Sequence, residues 1–182
     1  MRLKVNSMEK WHAIRVTYGR ELKFQAQLNE SGYQTFVPMT VRTFEHNGKK
    51  ERKTVPAVSN LCFVRACQQS LYEFFKLMGE ACPARFIWDK STGSPISIPD
   101  KAMEDFMLVS RAMLEDTIYL NEVNSKLREG QKVKVIDGPF KGIEGKIVRI
   151  RKSRRIMVEL PGMLAIATTF IPKEFVELIS VE

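Results

Sequence analysis

With 182 residues, 44% of them hydrophobic, the chain can bury a core and has room for one domain plus a smaller one. Its 29 Lys and Arg exceed 21 Asp and Glu, and this +8 surplus points to an acidic partner, nucleic acid being the commonest. Two histidines rule out a His-rich metal centre, and no apolar run approaches the ~18–20 residues of a membrane helix.

The surplus is uneven. Residues 1–118 carry 17 basic against 13 acidic side chains, and residues 126–182 carry 12 against 7. Cys62, Cys67 and Cys82 form no C-x-x-C pair, and such a sparse, odd count suits thiols acting as small apolar groups in a reducing compartment. Met1–Lys10 lacks the apolar core of a signal peptide, so a soluble cytoplasmic protein is expected.

In chain order, WHAIRVTYG (Trp11–Gly19) predicts a first strand, with Ile14 and Val16 at β spacing. In RELKFQAQLNESG the apolar residues alternate as in a strand. The glutamines, alanine and leucines favour helix, however, and Gly32 is placed to end one, so a helix is expected. YQTFVPMTVRTFEH and KKERKTVPAVSNLCFVRA flank Asn47-Gly48, a two-residue hairpin signal because both residues tolerate positive φ. That tip is basic, with Arg42, Lys49, Lys50, Arg52 and Lys53 against Glu45 and Glu51.

SLYEFFKLMG predicts a helix with Ser70 and Glu73 spaced as a capping box, an apolar face of Leu71, Phe74, Phe75 and Met78, and Gly79 as terminator. ARFIW (Ala84–Trp88) predicts a short buried strand, and KSTGSPISIP a loop. Asp100 can cap a helix running to about Glu115, with Met103, Phe106, Met107, Ser110, Met113 and Leu114 along one stripe. Periodicity then lapses over Ile118–Leu127. The order predicts an α+β sandwich over 1–118, helices packed on an antiparallel sheet, a linker at 119–127, and a second domain at 128–182.

In that second domain Lys132, Val133, Lys134 and Val135 alternate as a half-buried strand, and Asp137-Gly138-Pro139 is a turn. Gly142 and Gly145 allow another reversal, and KIVRIRKSRRIMVEL gives two strands around Ser153. Short strands with tight turns predict a small five-stranded barrel. KIVRIRKSRR holds Lys146, Arg149, Arg151, Lys152, Arg154 and Arg155, which serve either nucleic-acid contact or a solvated turn. Neither histidine has an evident partner and no paired carboxylates or phosphate-cradling loop occur, so no enzyme, cofactor or metal is expected.

Gly130–Ile150, above all VKVIDGPFKGIEGKI, resembles a KOW motif, and a KOW barrel behind an α+β domain resembles the NusG/Spt5 family of transcription elongation factors. WHAIRV, VPMTVRTFEHNGKKERKTV, LCFVRA and SPISIPDKAMEDFM are similar, in order, to the family's first strand, basic hairpin, central strand, and closing loop and helix. The N-terminal half is more similar to specialised UpxY-like antiterminators of capsule polysaccharide operons.

The resemblance implies an SH3-like KOW barrel and a monomeric antitermination or elongation factor that grips the clamp helices of RNA polymerase and suppresses pausing. By position its polymerase-binding residues would be Val58, Leu61, Phe63, Met103 and Phe106, an exposed apolar patch; Phe63, Met103 and Phe106 are equally suited to the core. Val58-Ser59-Asn60-Leu61 stands where the family commonly has Phe-Pro-Gly-Tyr, so aliphatic groups would make the contact. Arg20 and Lys23 resemble positions facing non-template DNA, where they would bind phosphate; the alternative is an ordinary solvated helix face. In the barrel, Phe140 and Met163 would meet a small ribosomal protein or a termination factor, with Phe140 exposed at its turn. Nascent RNA is the other nucleic-acid partner, and no membrane is expected. The competing reading is a ribosome-associated KOW protein that binds RNA through Arg149–Arg155.

Overall fold

The computed structural model describes residues 9–112, 114–115, 118–120, 130–150, 152–161 and 163–179. They fall into two compact units, residues 1–38 with 58–100, and residues 39–57 with 101–182. By contacts the hairpin and the third helix thus group with the C-terminal strands. Among the described residues no helix is long and apolar enough to cross a membrane.

The elements run β1 (Lys10–Val16), α1 (Glu21–Glu30) and β2 (Gln34–Phe36), then β3 (Met39–His46) and β4 (Lys49–Pro56) of the second unit. The first unit resumes with β5 (Leu61–Ala66), α2 (Gln68–Met78), β6 (Ala84–Phe86), and the two-residue strands β7 (Trp88–Asp89), β8 (Ser94–Pro95) and β9 (Ser97–Ile98). Its antiparallel sheet has the order β2-β5-β1-β6, and β9 also pairs with β1. Strands β1 and β5 are central, which is why their sequences are almost continuously apolar rather than alternating.

Helix α1 forms as its composition predicts and buries Phe24 and Leu28, one turn apart. Phe24, Phe75 and Phe86 continue one another at centroid distances of 6.1 and 5.4 Å, joining the two helices to the sheet. The capping box expected at Ser70 does not form. The helix begins at Gln68, so Ser70 lies inside the first turn and its hydroxyl donates to the Cys67 carbonyl at 2.9 Å. Gly79 ends the helix with φ +63°, as its type allows.

In the second unit β3 and β4 pair over eight positions around Asn47 (φ +50°) and Gly48 (φ +73°), the left-handed pair a two-residue hairpin needs. Helix α3 (Asp100–Ala112) buries Met103, Phe106, Val109 and Ser110. Met107 is half-buried, Leu114 is exposed, and Met113 lies outside the described residues. Asp105 is buried on the same helix; its carboxylate accepts from Lys101 (2.6 Å) and from the Glu144 N–H (3.1 Å), so the buried charge is paired.

Strands β10 (Ile118–Leu120), β11 (Lys132–Val135), β12 (Glu144–Ile150), β13 (Ser153–Leu160), β14 (Leu164–Ala167) and β15 (Val176–Leu178) follow. All pairs are antiparallel, in the order β10-β14-β13-β12-β11-β15. The expected KOW barrel strands are therefore joined by a sixth, drawn from the stretch read as linker. Ile118 and Leu120 pair with Ala167 and Ala165, and the Tyr119 hydroxyl lies 2.7 Å from that of Ser110. The rest of the expected linker, 121–127, lies outside the described residues.

Between β11 and β12, Gly138 has φ +81°, and a Cβ there would meet the Phe175 ring at 3.0 Å. The Gly142 N–H returns to the Val135 carbonyl at 2.7 Å, curling the turn inward. Phe140 consequently points into the core and is only 5% exposed, correcting the expectation of an exposed ring. Burying a large aromatic group stabilises by roughly 1.5–3 kcal/mol, which outweighs the ease of leaving a turn residue outside.

Candidate nucleic-acid interface

In the first unit, the end of β1, the start of α1, the segment before β5 and strand β6 enclose an open cleft of about 640 Å³. Arg15 of β1 and Arg85 of β6 are direct cross-strand partners, so their side chains leave the same face of the sheet together. Both are exposed and both line the cleft.

The chain turns sharply here. Tyr18 (φ +63°) and Asn60 (φ +61°) hold left-handed backbone conformations, which an aromatic residue adopts only under constraint. The constraint is visible. Thr17 donates its N–H and its hydroxyl to the Pro83 carbonyl (2.9 and 3.1 Å), and the Val16 N–H donates to the Asn60 carbonyl at 3.0 Å. The Asn60 N–H in turn donates to the carboxylate of buried Glu21.

These bonds display Tyr18, which is 85% exposed. The Arg20 guanidinium sits 5.6 Å from its ring centroid. The cleft thus offers cations for phosphates, a ring for a base, and the polar groups of Ser59, Asn60 and Glu21 at its wall. Behind it, burial and then the Glu21 charge push the Cys62 thiol up to about 12, so it is a neutral packing group.

Neither Arg20 nor Lys23 lines the cleft: Arg20 stands next to it through its contact with the Tyr18 ring, and Lys23 is exposed on α1. The sequence reading missed Arg15, Arg85 and Tyr18. A lone arginine in each of two apolar strands was the available signal; their pairing needs the register.

The residues assigned to polymerase do not form an exposed patch. Leu61 and Phe63 are buried in β5, where Phe63 stacks on Phe36 at 6.5 Å, and Val58 is half-buried before the strand. Met103 and Phe106 are buried on α3, Phe106 lying edge-on to Tyr119 at 6.2 Å. A strand with neighbours on both edges and helices over it has no outward apolar face to offer.

The basic run of the barrel divides by role. Lys146 pairs with Glu159 at 3.6 Å, while Arg154 and Arg155 donate to the carbonyls of Ile171 and Thr168 (3.1 and 2.7 Å). Arg149 and Lys152 are exposed, and Arg151 lies outside the described residues. Met163 is half-buried. Among the described residues no group of three His, Cys, Asp or Glu converges as metal ligands.

The family model described as transcription termination factor nusG matches residues 9–107, and a KOW-motif model matches residues 129–159. Among solved structures, the chain is similar to NusG of Thermotoga maritima, described for its domain interaction. The identity is 18%, the match covers 94% of this chain and 98% of that one, and the TM-score is 0.48. No curated protein matches the chain. With the first model spanning more than half its length and the KOW motif following, the chain belongs to the NusG family of transcription factors.

Proposed function

We propose that the protein is a non-enzymatic transcription elongation factor that binds RNA polymerase at its clamp and suppresses pausing or termination, with capsule polysaccharide operons as its targets. Family membership supports the polymerase partner, and the cleft of Arg15, Arg85 and Tyr18, with Arg20 over the Tyr18 ring, carries the nucleic-acid part. In this reading the arginines hold the phosphates of the non-template DNA strand while the clamp contact is made near Val58, the one assigned residue of β5 and its approach that is not buried. Met103 and Phe106 would have to be uncovered to take part.

The mechanism is a population shift. A protein bound to both clamp and DNA adds its binding energy to the closed, elongating state and withholds it from the open, paused one. The measurement is capture of purified RNA polymerase by the full chain, followed by read-through on a template with a strong pause. Capture that is lost in Val58→Asp, together with increased read-through by the unsubstituted protein, is expected. A protein that leaves polymerase unbound and pausing unchanged, yet binds ribosomal RNA, would replace this reading with a ribosome-associated one.

A further inference from the structure

Hairpin β12–β13 holds a like-charge pair of its own. Arg149 and Arg154 are direct cross-strand partners. Neither they nor Lys152, at the tip with φ +65°, has an acidic partner among the described residues, whereas Lys146 in the same hairpin is neutralised by Glu159.

Beside this hairpin runs the segment after β14. It is fastened at both ends, by Arg155 and Arg154 through the Thr168 and Ile171 carbonyls. Buried Thr168 adds two bonds to Ile156, donating its N–H to the carbonyl (2.9 Å) and accepting the Ile156 N–H on its hydroxyl (3.0 Å). Between these anchors stands Phe170, 61% exposed. A phenylalanine on a slack loop would fold onto the nearest apolar surface; this one is held out by its neighbours.

We propose that Phe170, Arg149, Lys152 and Arg154 form a platform for single-stranded RNA. The ring stacks on one unpaired base and the three cations meet flanking phosphates. A duplex offers no free base face, and an exposed ring on a segment bonded to a hairpin whose cations lack acidic partners among the described residues matches a polyanion with exposed bases. The choice of RNA rests on the function proposed above, in which DNA occupies the cleft of the first unit and the transcript is the other unpaired strand.

The test uses the full chain and a fluorescein-labelled twelve-nucleotide oligo-U, with anisotropy read across a salt series. Phe170→Ala should weaken binding about tenfold without altering the salt slope, and Phe170→Tyr should restore it, because stacking carries no net charge. Arg149→Gln with Lys152→Gln should flatten the slope by about 1.4, from ~0.7 for each phosphate no longer neutralised. Unchanged affinity in Phe170→Ala, equal affinity for an RNA duplex, or tighter binding of oligo-dT than of oligo-U would overturn the proposal. All these variants should still capture polymerase. Failure of the unsubstituted protein to capture it, with oligo-U binding intact, would count against the elongation reading alone.

Discussion

Arg15 and Arg85 face each other directly across β1 and β6, and among the described residues neither forms an ion pair. Like charges opposite one another destabilise a sheet by roughly 0.2–1 kcal/mol, so folding alone gives no reason for the pair. Replacing both by glutamine should leave melting temperature unchanged or raise it slightly. The same change should flatten the salt dependence of oligo-dT binding by about 0.7 for each phosphate left without its arginine. An unchanged salt slope would reduce the cleft to ordinary solvated surface.

His12 is buried, its Nδ1 has no hydrogen-bond partner, and its ring meets Phe86 edge-on at 5.6 Å. Burial, opposed by the Ile96 and Ala66 backbone bonds, holds its pKa below the ordinary 6.5. As pH falls through 6.5 the unfolded chain takes up a proton that the folded chain does not, so stability decreases. The slope approaches at most about 1.4 kcal/mol per pH unit. Urea titrations between pH 7.5 and 5 should show this decline, and His12→Phe should remove part of it. A variant with the same pH dependence as the parent would assign the decline to other groups.

Cys62 is buried with its thiol raised to about 12, whereas Cys67 and Cys82 are half-buried. Since the thiolate is the nucleophile, Cys62 should resist maleimide at neutral pH until the protein unfolds. Mass spectrometry of the native protein after brief labelling should find modification at the other two positions only. Rapid labelling of Cys62 would mean that β5 opens readily.

Gly138 combines φ +81° with a phenylalanine ring 3.0 Å from where a side chain would begin. Gly138→Ala should destabilise the barrel by about 1–3 kcal/mol through backbone strain and displacement of Phe175. Thermal unfolding would register this as a lowered midpoint, and an unaltered midpoint would show that the turn relaxes freely.

Local chemistry carried most of the fold into the sequence. Asn47-Gly48 announced its hairpin because only left-handed backbone closes so short a turn, and the helix-forming composition of α1, ended near Gly32, outweighed an apolar alternation that by itself reads as strand. What stayed hidden depends on register and burial. The Ser70 capping box failed because the helix starts earlier, at Gln68. Phe140 looked exposed because the side to which a turn curls is set by backbone bonds that residue types do not reveal, here the Gly142 N–H returning to the Val135 carbonyl. Likewise, the strongest feature of the site, Arg15 beside Arg85, joins residues 70 positions apart. Within the barrel, KIVRIRKSRR read as one block of charge, yet strand alternation and the bonds to Ile171 and Thr168 assign its members to different tasks.

The ribbon of β3 and β4 has an end that is wet on both sides, from Arg42 through Lys53. No apolar face there ties its length to any core. Adding two residues to each strand would keep every side chain on its original side and extend the tip by about 6–7 Å. Evolution can therefore tune how far this finger stretches, and which charges ride on it, while the rest of the molecule stays as it is.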